Sequence, residues 1–204
     1  MNKGIIHLVR QKISIIKSKV WILCTIGTLF FTGLSMAKNT PLHFKVNYLK
    51  LLKAPVVTLS NINSLPENSG LSGAQLAVND ANSTGKFINQ MFTLSQFELN
   101  APKELLKRID QQFKNGVFVF LVSGDSDVFE DIDKWAKNKP VLVFNVSESE
   151  DEMRYTLCLS SVLHTVPSYR MKSDALAQWL VAKRLSKILL IKGKGAADEH
   201  IAHA

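Results

Sequence analysis

Two cysteines, Cys24 and Cys158, are the only thiols in 204 residues, so no framework of several disulfides can staple this chain. Stability must come from a hydrophobic core. No motif for phosphate chemistry is complete either. Lys192-Gly193-Lys194-Gly195 lacks both the full glycine pattern and the Lys-Ser/Thr pair of a P-loop, and a plain strand-to-helix turn accounts for it. The apolar stretch Val20 to Phe31 is shorter than the ~20 residues that span a bilayer comfortably. What is present is ordinary for a globular protein: 46% hydrophobic and 21% charged residues, which sets disorder aside.

The formal charge of +8 suggests nucleic acid or an anionic membrane only until it is located. Lys3, Arg10, Lys12, Lys17 and Lys19 precede Val20 with no acidic residue among them, which leaves residues 38 to 204 at a net +3. The case for a nucleic-acid-binding face is thereby removed. The cationic stretch, the apolar core Val20 to Phe31 and the small residues of Ser35-Met36-Ala37 read together as an export signal, residues 1–37, cleaved after Ala37. The unusual length of the cationic region leaves an uncleaved anchor as the alternative. Leu23 is too bulky for lipoprotein processing at Cys24. Cleavage would remove Cys24 and leave Cys158, in the apolar-flanked Leu157-Cys158-Leu159, as a small buried hydrophobe.

Residues 38–55 carry Pro41, Pro55 and scattered charges without a clean period and read as a lead-in. Alternation of short apolar strands with amphipathic helices starts at Val56-Val57-Thr58-Leu59, followed by Leu71, Ala74, Ala77, Val78 and Ala81 at helical spacing. Met91 to Leu99 is the second strand. Asn100 is a candidate cap for a helix carrying Leu105, Ile109 and Phe113 on one face, ended by Asn115-Gly116. The third and fourth strands, Val117 to Val122 and Val141 to Phe144, are apolar on both faces, as in the middle of a parallel sheet. Between them Val128, Ile132, Trp135 and Ala136 form a helical stripe. An extended stretch near Tyr155 to Val162, a helix with Met171, Ala175, Leu176, Trp179 and Leu180, and a strand at Ile188 to Ile191 complete the pattern. The fold class is α/β, an open doubly wound parallel sheet.

Ligands on such sheets bind beyond the carboxyl ends of the strands. That rule selects three loops: Ser60-Asn61, then Ser123-Gly124-Asp125 running into Ser126, then Asn145-Val146-Ser147. Hydroxyl, amide and main-chain groups there suit a small polar or anionic ligand, and Gly124 lets the backbone come close. Each residue taken singly is also an ordinary turn or cap former; their common position after buried strands is what selects them. Catalysis is not indicated. Ser123-Gly124 lacks the flanking residues of a nucleophile elbow, and no histidine is placed to complete a triad. His164 reads as a structural hydrogen-bonding residue. Asp198-Glu199-His200 with His203 could offer metal ligands, but its place at the chain end argues against a rigid metal site, and no cofactor is expected. The acidic run Glu148 to Glu152 reads as a solvated face.

Gly70-Leu71-Ser72-Gly73-Ala74-Gln75-Leu76-Ala77-Val78-Asn79-Asp80, Asn82-Ser83-Thr84-Gly85-Lys86-Phe87 and Leu163-His164-Thr165-Val166-Pro167-Ser168 followed by Asp174 to Leu180 carry a resemblance. Over residues 56 to 200 the chain resembles the type I periplasmic solute-binding proteins of ABC transporters, in the branched-chain amino-acid-binding branch. The wording is similar to the subgroup associated with PQQ-dependent alcohol dehydrogenase systems. The resemblance implies a non-enzymatic, two-lobed clamshell that binds a small-molecule solute, works with the membrane subunits of a transporter and meets the membrane itself only through its export signal. It also implies a periplasmic location, a first lobe over residues 56–168 and the start of a second, incomplete lobe over 169–204. Asn145-Val146-Ser147-Glu148 departs from the family's small-residue and threonine run. The expected function is therefore an extracytoplasmic solute-binding component in truncated form. A membrane-anchored interaction module and a small α/β enzyme are the alternatives.

Overall fold

Five parallel strands in the order β2-β1-β3-β4-β5 form one open sheet, in which every pairing is parallel. The computed structural model describes residues 40–53, 68 and 70–204. Strand β1 (Leu42–Leu51) pairs with β2 (Gln90–Leu99) on one side and β3 (Val119–Ser123) on the other; β4 (Leu142–Asn145) and β5 (Val162–His164) follow outward. The helices are α1 (Leu71–Gly85), α2 (Pro102–Lys114), α3 (Ser126–Ala136), the single turn α4 (Glu152–Tyr155), α5 (Tyr169–Ala182) and α6 (Ala196–His203).

The lead-in expected over residues 38–55 is instead the strand on which the sheet is built. Its period was hidden by Lys45, Asn47 and Lys50, yet Leu42, Phe44, Val46 and Tyr48 alternate with a second series, Asn47, Leu49 and Leu51, which is buried. Such two-sided character belongs to an inner strand of a parallel sheet. The strand expected at Val56 to Leu59 and the export signal lie outside the described residues.

One face of the sheet is closed by α2 and α3. Leu105 and Ile109 of α2 and Val128, Phe129, Ile132 and Ala136 of α3 pack on Leu49, Phe120, Val122 and Val143, all buried. Pro102 begins α2 where a missing N–H costs nothing, and Asn115 with Gly116, at φ 81°, ends it. The cap residue is Ala101 rather than Asn100. Trp135 of α3 donates from Nε1 to Asp110 Oδ1 of α2 at 3.1 Å, which satisfies the indole and ties the two helices together. Helix α1 guards the outer edge of β2. Asn82 donates from Nδ2 to the Phe92 carbonyl (2.9 Å) and accepts from its N–H on Oδ1 (2.7 Å), pairing main-chain groups that an edge strand would leave open.

Beyond β4 the expectations hold less well. Tyr155 ends the turn α4 rather than starting an extended stretch, and the strand proper begins at Val162. Cys158 is exposed at φ 46°, with its thiol donating to the Tyr155 carbonyl at 3.2 Å; its position after a helical turn, not its apolar neighbours, decides its environment. Helix α5 forms where its period predicts it, with Ser168 Oγ accepting from Met171 N at 3.3 Å as its cap, but none of its residues is buried. Ile188 to Ile191 form no strand, and Leu189 and Ile191 are 84% and 85% exposed. Among the described residues no helix is long and apolar enough to cross a membrane.

Candidate functional site

Because all five strands run the same way, the segments leaving β1, β3, β4 and β5 emerge on one rim. Lys53 follows β1, Ser123 ends β3 and leads into Gly124-Asp125, Asn145 ends β4 and leads into Val146-Ser147-Glu148, and Thr165 to Ser168 follow β5. Two of the three loops selected from sequence are therefore neighbours. Ser60 and Asn61, the remaining pair, lie outside the described residues.

The two loops are laced together. Ser147 Oγ accepts from Gly124 N at 3.1 Å and donates to Gly124 O at 3.3 Å, so one hydroxyl satisfies both main-chain groups of the residue facing it. Asn145 is wholly buried and works in two directions. Its Oδ1 accepts from Ser147 N (3.1 Å) and Glu148 N (2.8 Å), which winds the chain into a tight turn after β4. Its Nδ2 donates to Glu148 O (2.7 Å) and faces His164 Nδ1 at 3.0 Å. With both amide hydrogens facing acceptors, the imidazole must receive the bond on Nδ1, so His164 is neutral with its proton on Nε2. Burial, and after it the Arg154 guanidinium, holds the His164 pKa below the ordinary histidine value. Thr165 completes the link from β5, donating to Asn145 O from both N (3.1 Å) and Oγ1 (2.9 Å). Val146 continues the ladder, its N–H on Val122 O at 3.0 Å.

Charge is concentrated at the same place. Lys53 pairs with Asp125, and its Nζ lies 3.9 Å from Glu148 Oε2. Burial opposes its charge, but the bond to Asp125 and the attraction of Asp125 and Glu148 outweigh that and raise its pKa. Glu148 Oε1 in turn accepts from Ser149 N (2.8 Å) and Glu150 N (3.3 Å). The run Glu148 to Glu152 is thus not the solvated face its composition suggests: Glu148 is 13% exposed, Ser149 is buried, and Lys172 Nζ donates to Ser149 Oγ at 2.7 Å. The signal missed in the sequence is that a carboxylate placed just ahead of two amides can cap its own turn. Tyr48 and Tyr169 add phenols, each with its pKa raised first by burial; Ser123 bonds to Tyr48 and partly offsets the shift there.

No nucleophile and base are paired in this arrangement. Ser147 is spent on Gly124 and Ser123 faces a tyrosine, whereas acyl transfer needs a serine against an imidazole. The possible metal ligands near the chain end are engaged elsewhere: His200 Nδ1 lies 2.8 Å from Glu150 Oε2, and His203 Nε2 lies 2.9 Å from Glu199 Oε1. Among the described residues no group of histidine, cysteine or carboxylate side chains is placed to hold a metal ion.

Comparison with solved structures identifies the fold that carries this rim. The fold matches an ABC transporter substrate-binding protein from Desulfitobacterium hafniense, with a TM-score of 0.57 at 14% identity over 79% of this chain. It matches that protein in complex with Leu equally well. A solute-binding protein of an ABC transporter from Rhodopseudomonas palustris BisB5, in complex with 3,4-dihydroxybenzoic acid, gives a TM-score of 0.51 at 12% identity over the same share. This chain has the fold of one lobe of an ABC transporter substrate-binding protein. The matched region spans 45% of the first of those chains and 42% of the last. No protein-family model matches the chain, and no curated protein matches it.

Proposed function

We propose that this chain is an extracytoplasmic solute-binding component of an ABC-type transport or sensing system, and that the rim formed by Lys53, Ser123 to Asp125, Asn145 to Ser147 and Thr165 to Ser168 is its half of a solute cleft. One observation carries the reading. The polar segments leaving four parallel strands meet on one rim, where ligands bind to open α/β sheets, in a fold shared with proteins solved as solute binders. Ser60 and Asn61 would join the rim from the segment after β1. In this reading the chain is not an enzyme, the leader through Ala37 is removed on export, and residues 169–204 open a second lobe. The exposure of Leu176, Trp179 and Val181 on α5 supports that last assignment, since apolar area of that kind is normally covered by further structure. Membrane subunits of a transporter are the protein partner. The wording of residues 70–80, 82–87, 163–168 and 174–180 supports a link to PQQ-dependent alcohol oxidation, with the solute drawn from that chemistry.

The test is a thermal-shift screen of the full chain against a library of small polar solutes. A binder present at 100 times its Kd stabilises by about 2.7 kcal/mol, an easily read shift. We expect at least one solute class to stabilise the protein, and Asp125→Ala to abolish that stabilisation. A library without effect, or an effect unchanged by Asp125→Ala, refutes the reading.

A further inference from the structure

Resting on that reading of the rim, we propose that it takes its solute through a hydroxyl or ammonium donor and excludes carboxylates, because Glu148 fills with its own carboxylate the cradle that a solute carboxylate would need. Successive main-chain amides after a strand are the usual means of holding an anion. Here the five amides from Val146 to Glu150 are all engaged inside the protein: Val146 on Val122 O, Ser147 and Glu148 on Asn145 Oδ1, Ser149 and Glu150 on Glu148 Oε1. Gly124 N on the facing loop is engaged by Ser147 Oγ. Two ammonium groups reach this loop and both are engaged: Lys53 is held between Asp125 and the second oxygen of Glu148, and Lys172 Nζ donates to Ser149 Oγ at 2.7 Å. No side chain caps the start of α3, but the carboxylates of Asp125 and Asp127 flank it and oppose an anion there. Among the described residues of the rim the oxygens left toward a solute are acceptors: Asp125 Oδ2, its Oδ1 being held by Lys53, and Glu148 Oε2, reached by Lys53 only at 3.9 Å. Both ligands named for the solved neighbours, leucine and dihydroxybenzoic acid, carry a carboxylate. The rim of this chain is built against that group.

Isothermal titration of the full chain with leucine, acetate, glycerol and butylamine tests the assignment, with Glu148→Ala and Glu148→Gln alongside the wild type. We expect the wild type to bind neither carboxylate and to bind glycerol or butylamine, the two separating a hydroxyl from an ammonium solute. Glu148→Ala frees the Ser149 and Glu150 amides and removes one of the two carboxylates beside Lys53, and it should gain at least tenfold in affinity for acetate and leucine. Glu148→Gln keeps an amide oxygen in the cradle and should stay with the wild type. Leucine or acetate binding to the wild type as tightly as the donors overturns the inference while leaving solute binding intact. Failure of Glu148→Ala to gain, or an equal gain in Glu148→Gln, overturns it as well. No binding of any solute class by the wild type overturns the function on which it rests.

Discussion

Asn145 is the keystone of the rim, and its replacement can be worked through. Asn145→Ala deletes four hydrogen bonds at once, to Ser147 N, Glu148 N, Glu148 O and His164 Nδ1. At about 1 kcal/mol net for each bond, the ceiling is ~4 kcal/mol, and water reaching the turn recovers part of it, so we expect a loss of about 3 kcal/mol. For a chain of this size that lowers Tm by roughly 6–12 °C, read by circular dichroism. Asn145→Asp separates hydrogen bonding from charge. Its carboxylate can still accept the two amides, but it now faces His164 Nδ1 as an acceptor, so the imidazole must carry a proton on Nδ1 to bond with it, and the adjacent negative charge favours the doubly protonated ring. In the wild type the His164 pKa is held below its unfolded value, so protonation favours unfolding: this contribution to stability is present above about pH 6.5 and is lost as pH falls toward the depressed folded pKa. In Asn145→Asp the sign reverses, and stability rises as pH falls through the same range. Histidine NMR titration and urea unfolding at several pH values read both effects. A Tm for Asn145→Ala close to that of the wild type, or a His164 titration unchanged in Asn145→Asp, refutes the role given to this residue.

Three further outcomes are expected. Phe129→Ala empties the centre of the core between α3 and the sheet, where the side chain is wholly buried; a loss of about 3–5 kcal/mol in urea unfolding follows from the cavity. Lys53→Met removes an exposed ion pair and should change stability by less than about 1 kcal/mol, with the difference from wild type vanishing at high salt. Cys158 in a Cys24→Ser background should react completely with Ellman's reagent in the folded protein without denaturant, since the thiol is exposed; reaction only after unfolding would restore the buried environment that its neighbours suggest.

The middle of the fold was legible because its strands and helices obey simple periods. Val119 to Val122, Val143 with Phe144, and the stripe Val128, Ile132, Ala136 are apolar for one reason, burial between layers, and the sequence states it directly. Strand β1 was hidden because Asn47 is a buried polar residue within it, with Lys45 and Lys50 on either side; a period of two survives there only in the apolar positions. The last third misled in the opposite sense. Helix α5 and Ile188 to Ile191 carry apolar patterns whose partners are not among the described residues, and a pattern without a partner does not become a strand. Within the site, Ser123 to Asp125 and Asn145 to Ser147 were selectable from their place after buried strands. His164 was read as a structural hydrogen-bonding residue, and its contact with Asn145 is that bond; Lys53 and Glu148 were not selectable, because their roles depend on contacts between and within loops that no local spacing encodes.

The central claim is that a small solute lies against the rim where the parallel strands end. Amide chemical-shift mapping of the labelled chain, with the stabilising solute added to saturation, tests it most directly. The account predicts the largest shifts at Lys53, Ser123 to Asp125, Asn145 to Ser147 and Thr165 to Tyr169. Shifts gathered instead at Asn115-Gly116 and Asn138-Lys139, the turns leading into β3 and β4 from the opposite rim, would contradict it.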